Sequence, residues 1–180
     1  VPVTQPRPAE STRAEALTPD VSPRRFRSPH TLYPSAHFLS NGQYTTVVTN
    51  AGGGASNWRG RAVTRQRDDP ASDPGSQSIY LRDVRSGRLW AAAYQPVCRE
   101  PERYRVNFRA DEAVFDRTDD GIETRLEITV SAEDDVEVRR VSLLNRSDRL
   151  REIEVTSLVE IVLAPPADDL AHPAFLKLFL

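Results

Sequence analysis

Sulfur is almost missing from this chain. Its 180 residues include one cysteine, Cys98, and no methionine. A lone cysteine excludes an internal disulfide framework and a cysteine-based zinc site. Glycine is scarce as well, at 8 residues. The one cluster, Gly52-Gly53-Gly54, runs into Ala-Ser-Asn-Trp58 and lacks the lysine and helix of a phosphate-cradling loop. Three histidines, His30, His37 and His172, are too scattered to form a ligand set, and no metal or other cofactor is expected. Neither sign of charge prevails: 26 acidic residues against 24 basic ones leave a net charge of −2. No global field therefore favours nucleic acid, and no nucleic-acid partner is expected. No apolar run approaches the ~20 residues of a spanning helix, and the start does not read as a secretory leader. The expected location is cytoplasmic. With no methionine and an apolar last stretch, Phe175–Leu180, both ends are expected to continue in a longer polypeptide.

What remains is enough for one domain, with 38% hydrophobic and 28% charged residues. Residues 1–29 stand apart. They hold six prolines (Pro2, Pro6, Pro8, Pro19, Pro23, Pro29), no glycine and a single aromatic, Phe26. Such a segment offsets little of its ordering entropy, so it is expected to be a disordered linker. Residues 30–180 are expected to form a β-sandwich cut short at its C-terminal end. Here the period is two. Tyr104, Val106 and Phe108 alternate with arginines and Asn107, and Ile122, Thr124, Leu126, Ile128 and Val130 share a face. Ile153, Val155, Ser157, Val159, Ile161 and Leu163 repeat the pattern. Turn signals punctuate it at Asn41-Gly42, Ser86-Gly87, Asp119-Asp120-Gly121, Asp134-Asp135 and Asn145–Asp148. Half-polar strands without long helices between them predict an all-β fold, an antiparallel sandwich. The shift of apolar parity from Val136 and Val138 to Val141 and Leu143 predicts a β-bulge at Arg139-Arg140. One short helix is predicted near Pro165–Leu170, where prolines and acids suit a first turn.

No catalytic constellation stands out, and no catalytic residue is assigned. The acidic pairs Asp68-Asp69, Asp119-Asp120, Asp134-Asp135 and Asp168-Asp169 read as solvent-facing turn residues. The densest unusual stretch, Asn41 to Pro96, carries Trp58, Arg65, Tyr80, Arg82 and Trp90. Aromatic faces and arginines suit a carbohydrate surface, and Trp58, Arg65, Tyr80 and Arg82 are the candidate contacts. The competing reading makes Trp58 and Trp90 core anchors.

The same stretch carries a resemblance. Leu39–Tyr44, Val48–Ser56, Trp58, Ala62–Arg65, Ile79–Asp83, Ser86-Gly87, Trp90, Tyr94–Pro96, Val136–Arg140, Asn145, Glu154–Ser157, Glu160 and Ala171–Phe175 resemble the amino-terminal domain of glycoside hydrolase family 94, formerly glycosyltransferase family 36. The likeness extends to the phosphorylase-like region of cyclic β-1,2-glucan synthetases. It implies a large, twisted antiparallel supersandwich of the galactose-mutarotase type. In the family this domain precedes an (α/α)6 barrel that holds the general-acid aspartate and the phosphate site. The resemblance therefore implies a non-catalytic, carbohydrate-associated domain of a glucosyl-transferring enzyme or phosphorylase. Its implied partners are that barrel, a β-glucan oligosaccharide and a second copy across a dimer interface. It also admits a parent attached to the inner membrane. Gln66 and Pro74 stand where the family usually has Trp, which removes two stacking surfaces from one loop. Two alternatives stay open, a free-standing carbohydrate-binding module and a mutarotase-type epimerase.

Overall fold

A computed structural model describes residues 22–66 and 75–171. In chain order its strands are β1 (Arg24–Phe26), β2 (Ala36–Ser40), β3 (Tyr44–Thr49), β4 (Gly54–Trp58) and β5 (Arg61–Thr64). After these come β6 (Gln77–Asp83), β7 (Leu89–Ala91), β8 (Arg103–Phe108), β9 (Ala113–Asp119) and β10 (Ile122–Val130). The last are β11 (Glu137–Asn145), β12 (Ile153–Val159) and β13 (Ile161–Ala164), followed by helix α1 (Pro166–Ala171). Every pairing of these strands is antiparallel, and the all-β antiparallel sandwich expected from the alternation, the supersandwich that the resemblance implies, is what forms.

One layer is the sheet β1-β8-β9-β10-β11. Facing it are two sheets, β12-β6-β7 and β13-β5-β4-β3-β2, stitched together at Glu160. The Glu160 amide donates to Ser76 O at 2.8 Å, and its carbonyl accepts from the Arg65 amide at 3.0 Å. One long strand thus runs past β6 and then β5. Between the layers lies a core of Leu39, Val48, Leu81 and Trp90 against Val106, Phe108, Phe115, Leu126 and Ile128, all nearly inaccessible. Each such side chain contributes about 1.5–3 kcal/mol by burial. Local sequence sets the corners. The β9–β10 hairpin turns on Asp120 (φ 48°) and Gly121 (φ 75°), the Asp-Gly pair that a two-residue turn with left-handed backbone favours.

Several expectations change. Asp119, read as solvent-facing, is buried, and the expected apolar face of β12 and β13 is about half exposed at Val155, Val159, Ile161 and Leu163. Residues 1–21 of the expected linker lie outside the described residues, but Arg24–Phe26 is a strand paired with β8. Phe26 is why: its ring meets Phe108 edge-on at 5.4 Å and packs on the core. The bulge at Arg139-Arg140 is absent. Pairing of β10 with β11 runs unbroken from Ile122↔Asn145 to Val130↔Glu137. The parity argument assumed an apolar inward face, whereas Glu137 and Arg139 fill it and Val136 and Val138 point out, each about half exposed. The irregularity sits in β13, where register shifts between Ile161 and Ala164 and Leu163 adopts φ 56°. Finally, the two tryptophans divide: Trp90 is a core anchor at 1% exposure, while Trp58 is 36% exposed.

Candidate functional site

The glycine triplet builds a platform. Thr49 closes the turn by accepting the Gly53 amide on its hydroxyl at 3.0 Å and the Gly52 amide on its carbonyl at 2.9 Å. Gly52, at φ +93°, lies so close to the next loop that a Cβ would sit 2.3 Å from Ala93 Cβ. Only glycine allows that approach. Beside it the Ala51 carbonyl accepts the amides of Tyr94 at 3.2 Å and Gln95 at 2.9 Å, docking the loop after β7. From below, the buried Arg117 holds the same loop. Its guanidinium donates to the carbonyls of Ala93 and Arg99 and is clamped by Asp119 at 2.6 and 2.7 Å.

Asn50 brings in a second segment. Fully buried, its amide oxygen accepts from the Ser35 amide at 2.9 Å, and its nitrogen donates to Pro29 O at 3.0 Å. That fixes residues 28–35 beside the loop and places His30 over it. His30 Nε2 lies 2.7 Å from Glu100 Oε1, the Tyr94 hydroxyl donates to the same oxygen at 2.8 Å, and the two rings meet edge-on at 5.1 Å. Hydrogen bonds from Tyr94 and then His30 hold the Glu100 carboxyl below its usual range. Burial, with Glu100 as the next cause, pushes Tyr94 up to about 12. The cluster is open: the His30 and Glu100 side chains are 59% and 65% exposed. Glu100 also borders a groove of about 410 Å³ between residues 27–29 and 100–105. Donors, an acceptor and ring edges presented together can exchange hydrogen bonds with ligand hydroxyls.

Sequence reasoning gave His30, the first residue of the expected sandwich, no partner. Its partner is 70 residues away, so no local pattern announces the pair. His37 is structural. It stacks on Phe108 at 4.7 Å, donates from Nε2 to Arg109 O at 2.7 Å, and burial lowers its pKa. His172 lies outside the described residues.

The four candidate contacts are each held separately. The Trp58 indole donates to Asp135 Oδ2 at 2.6 Å, with the Arg59 guanidinium 5.0 Å over its ring. Arg65 grips Asp169 of α1 through two bonds of 3.0 and 2.7 Å, and only 15% of its side chain is exposed. Tyr80 and Arg82 occupy alternate positions of β6, on the side opposite Leu81. Tyr80 is half-buried and Arg82 pairs with Glu154 at 2.6 Å. Gln66 flanks this region; Pro74 lies outside the described residues. Among the described residues no group of His, Cys, Asp or Glu is arranged to hold a metal.

A family model described as "Glycosyl hydrolase 94, supersandwich domain" matches residues 20–180. Cyclic beta-(1,2)-glucan synthase NdvB of Rhizobium meliloti (strain 1021) is 38% identical over 168 residues, 93% of this chain and 6% of that protein. Solabiose phosphorylase of Paenibacillus borealis is 30% identical over 144 residues, 77% of this chain and 19% of the relative. N,N'-diacetylchitobiose phosphorylase of Vibrio proteolyticus is 29% identical over 132 residues, 71% and 16%. The chain spans less than a fifth of each.

Proposed function

The chain belongs to the glycosyl hydrolase 94 supersandwich family, a domain of carbohydrate-processing enzymes, and from that membership we propose that it is a non-catalytic, sugar-facing domain of a β-glucan-processing protein. The parent would transfer glucosyl units in cyclic β-1,2-glucan metabolism, and this domain would pack on a helical catalytic barrel of the same polypeptide, on the cytoplasmic side. The observation that carries the reading is the meeting of Tyr94 with His30 and Glu100 on one open surface, held from beneath by the largely buried motif segment Asn50–Gly54. An open cluster of this kind suits holding hydroxyls at a cleft's rim rather than enclosing a reacting bond. Trp58 and Tyr80 would add ring contacts, Arg82 a guanidinium that is 54% exposed, and Arg65 would position α1 through Asp169. No described helix is long and apolar enough to cross a membrane.

The test uses two preparations. The 180-residue chain alone is expected to release no phosphate from glucose 1-phosphate with β-glucan acceptors. In a full-length parent, His30→Ala and Tyr94→Phe are expected to weaken oligosaccharide binding while leaving the melting temperature within a degree or so. Turnover by the chain alone, or unaltered binding in both variants, sinks the proposal. A second reading draws on the His30–Glu100 pair, the acid–base couple an epimerase needs. Faster interconversion of glucose anomers by the chain alone, lost in His30→Ala, would favour it. Tight β-glucan binding by the chain alone would point instead to a free-standing binding module.

A further inference from the structure

Away from the loop surface, three turns meet around two carboxylates. The β6–β7 turn is wound about Asp83, whose Oδ1 accepts the Ser86 amide at 2.8 Å and whose carbonyl accepts the Gly87 amide at 2.8 Å. The β9–β10 turn contributes Asp120. The connection from β11 to β12 contributes Arg149 and Arg151, and it is tied to the first turn by the Val84 amide on Glu152 O at 3.0 Å.

Arg151 is the hub, its side chain only 4% exposed. It donates to Asp83 Oδ2 at 2.6 Å, to Asp120 O at 2.7 Å and to Asp120 Oδ2 at 3.1 Å. Asp120 also receives Arg149 at 3.3 Å and Arg88 at 3.0 Å. Arg85 and Arg149 line a cavity of about 220 Å³ with Asp83, Ser86, Leu150 and Arg151. Arg85 makes no ion pair among the described residues. Asp148 and Glu152 are sequence neighbours that join no ion pair with the cluster. Three guanidiniums therefore share two carboxylates, and with Arg85 beside them the cluster carries an excess of two positive charges. Hydrogen bonds from Ser86 and Arg151 hold the Asp83 carboxyl down to about 2, so it stays ionised near neutrality.

We propose that this cavity binds a phosphoryl dianion, with Arg85 and Arg149 as its direct donors and Arg151 as the buried residue that positions them. A dianion cancels the charge excess, and its tetrahedral oxygens match the forked donors of two arginines, whose bonds to phosphate are charge-assisted. The site is built from turns that hold one another by backbone hydrogen bonds, so the backbone that carries its donors is set before the ligand arrives. It stands apart from the sugar-facing reading, since it involves none of His30, Tyr94 or Glu100.

Calorimetric titration of the 180-residue chain with inorganic phosphate, at fixed ionic strength with chloride as the reference, tests this. Saturable binding is expected, weakened about tenfold or more in Arg85→Ala and in Arg149→Ala, the loss of one charge-assisted contact each. Both side chains are exposed, so both variants should melt with wild type in phosphate-free buffer. A parallel titration with glucose 1-phosphate separates the sources. Tighter binding than phosphate assigns the site to a sugar phosphate, and equal or weaker binding to the free anion. No saturable binding of either ligand, or binding unchanged in both variants, overturns the proposal.

Discussion

The two flanks of the sandwich are held by different forces. On one, β7 to β10 enclose Trp90, Phe108, Phe115 and Leu126, with Trp90 donating its indole hydrogen to Thr124 across the layers at 3.3 Å. On the other, β11 faces a polar seam. Glu137 Oε2 accepts the Ser56 hydroxyl at 2.6 Å and the Tyr44 hydroxyl at 3.3 Å, while its other oxygen takes Arg139 at 2.6 Å. Behind Ser56 stand Thr46, bonded to it hydroxyl to hydroxyl at 3.1 Å, and Thr64, whose hydroxyl oxygen accepts the Ser56 amide at 2.9 Å and the Ser76 hydroxyl at 2.7 Å; all are buried. Apolar residues on that flank are left outside: Val155 is 53% exposed, Leu158 50% and Val159 46%. Buried area carries the first flank, and satisfied polar pairs carry the second. Apolar burial tolerates any close-packed filling, whereas a polar seam demands specific partners.

The largest effect should come from emptying the first flank. Trp90→Ala removes the bulkiest of the fully buried side chains and its bond to Thr124, and should cost about 3–5 kcal/mol in urea unfolding. A loss under about 1 kcal/mol would mean that this flank does not carry the fold, and the contrast would collapse.

On the second flank, the single and double changes should diverge. Glu137→Ala strands Arg139 and the Ser56 hydroxyl, and should cost about 1–3 kcal/mol. Glu137→Leu with Arg139→Met replaces the pair by apolar groups of similar bulk and strands no charge, so it should be less damaging than the single change, the remaining loss being that of an acceptor for the Ser56 and Tyr44 hydroxyls. If the double variant is as damaging as the single one, the seam contributes stability as well as specificity. That would blur the distinction between the flanks.

The first flank was legible in the sequence because alternation reports it directly: Tyr104, Val106 and Phe108 are buried as their spacing predicts. Turn chemistry was legible too, at Asp120-Gly121 and at the short helix now seen at Pro166–Ala171. The seam was not. Reading Val136 and Val138 as inward required a bulge to recover Val141, because nothing in a binary pattern says that Glu137 and Arg139 can neutralise each other inside. The loop surface was half legible. The glycine triplet and Tyr94 drew attention, while His30 depends on Asn50 and on Glu100 far along the chain, and in the sequence it was only one of three scattered histidines.

The smallest effect sharpens the comparison most, because one substitution is made on both flanks. Val106→Thr and Val155→Thr exchange a methyl for a hydroxyl and keep the β-branch, so strand preference changes little in either. Val106 has no exposed surface and sits among Phe108, Phe115 and Leu126. A hydroxyl there lacks a nearby partner and should cost about 1–3 kcal/mol. Val155 is 53% exposed on β12, where the hydroxyl keeps its water, and the change should stay within about 0.5 kcal/mol. Paired urea melts of the 180-residue chain measure both. Equal losses would mean that the exposed face of β12 is covered when the chain is folded in solution, and that the second flank has an apolar partner of its own.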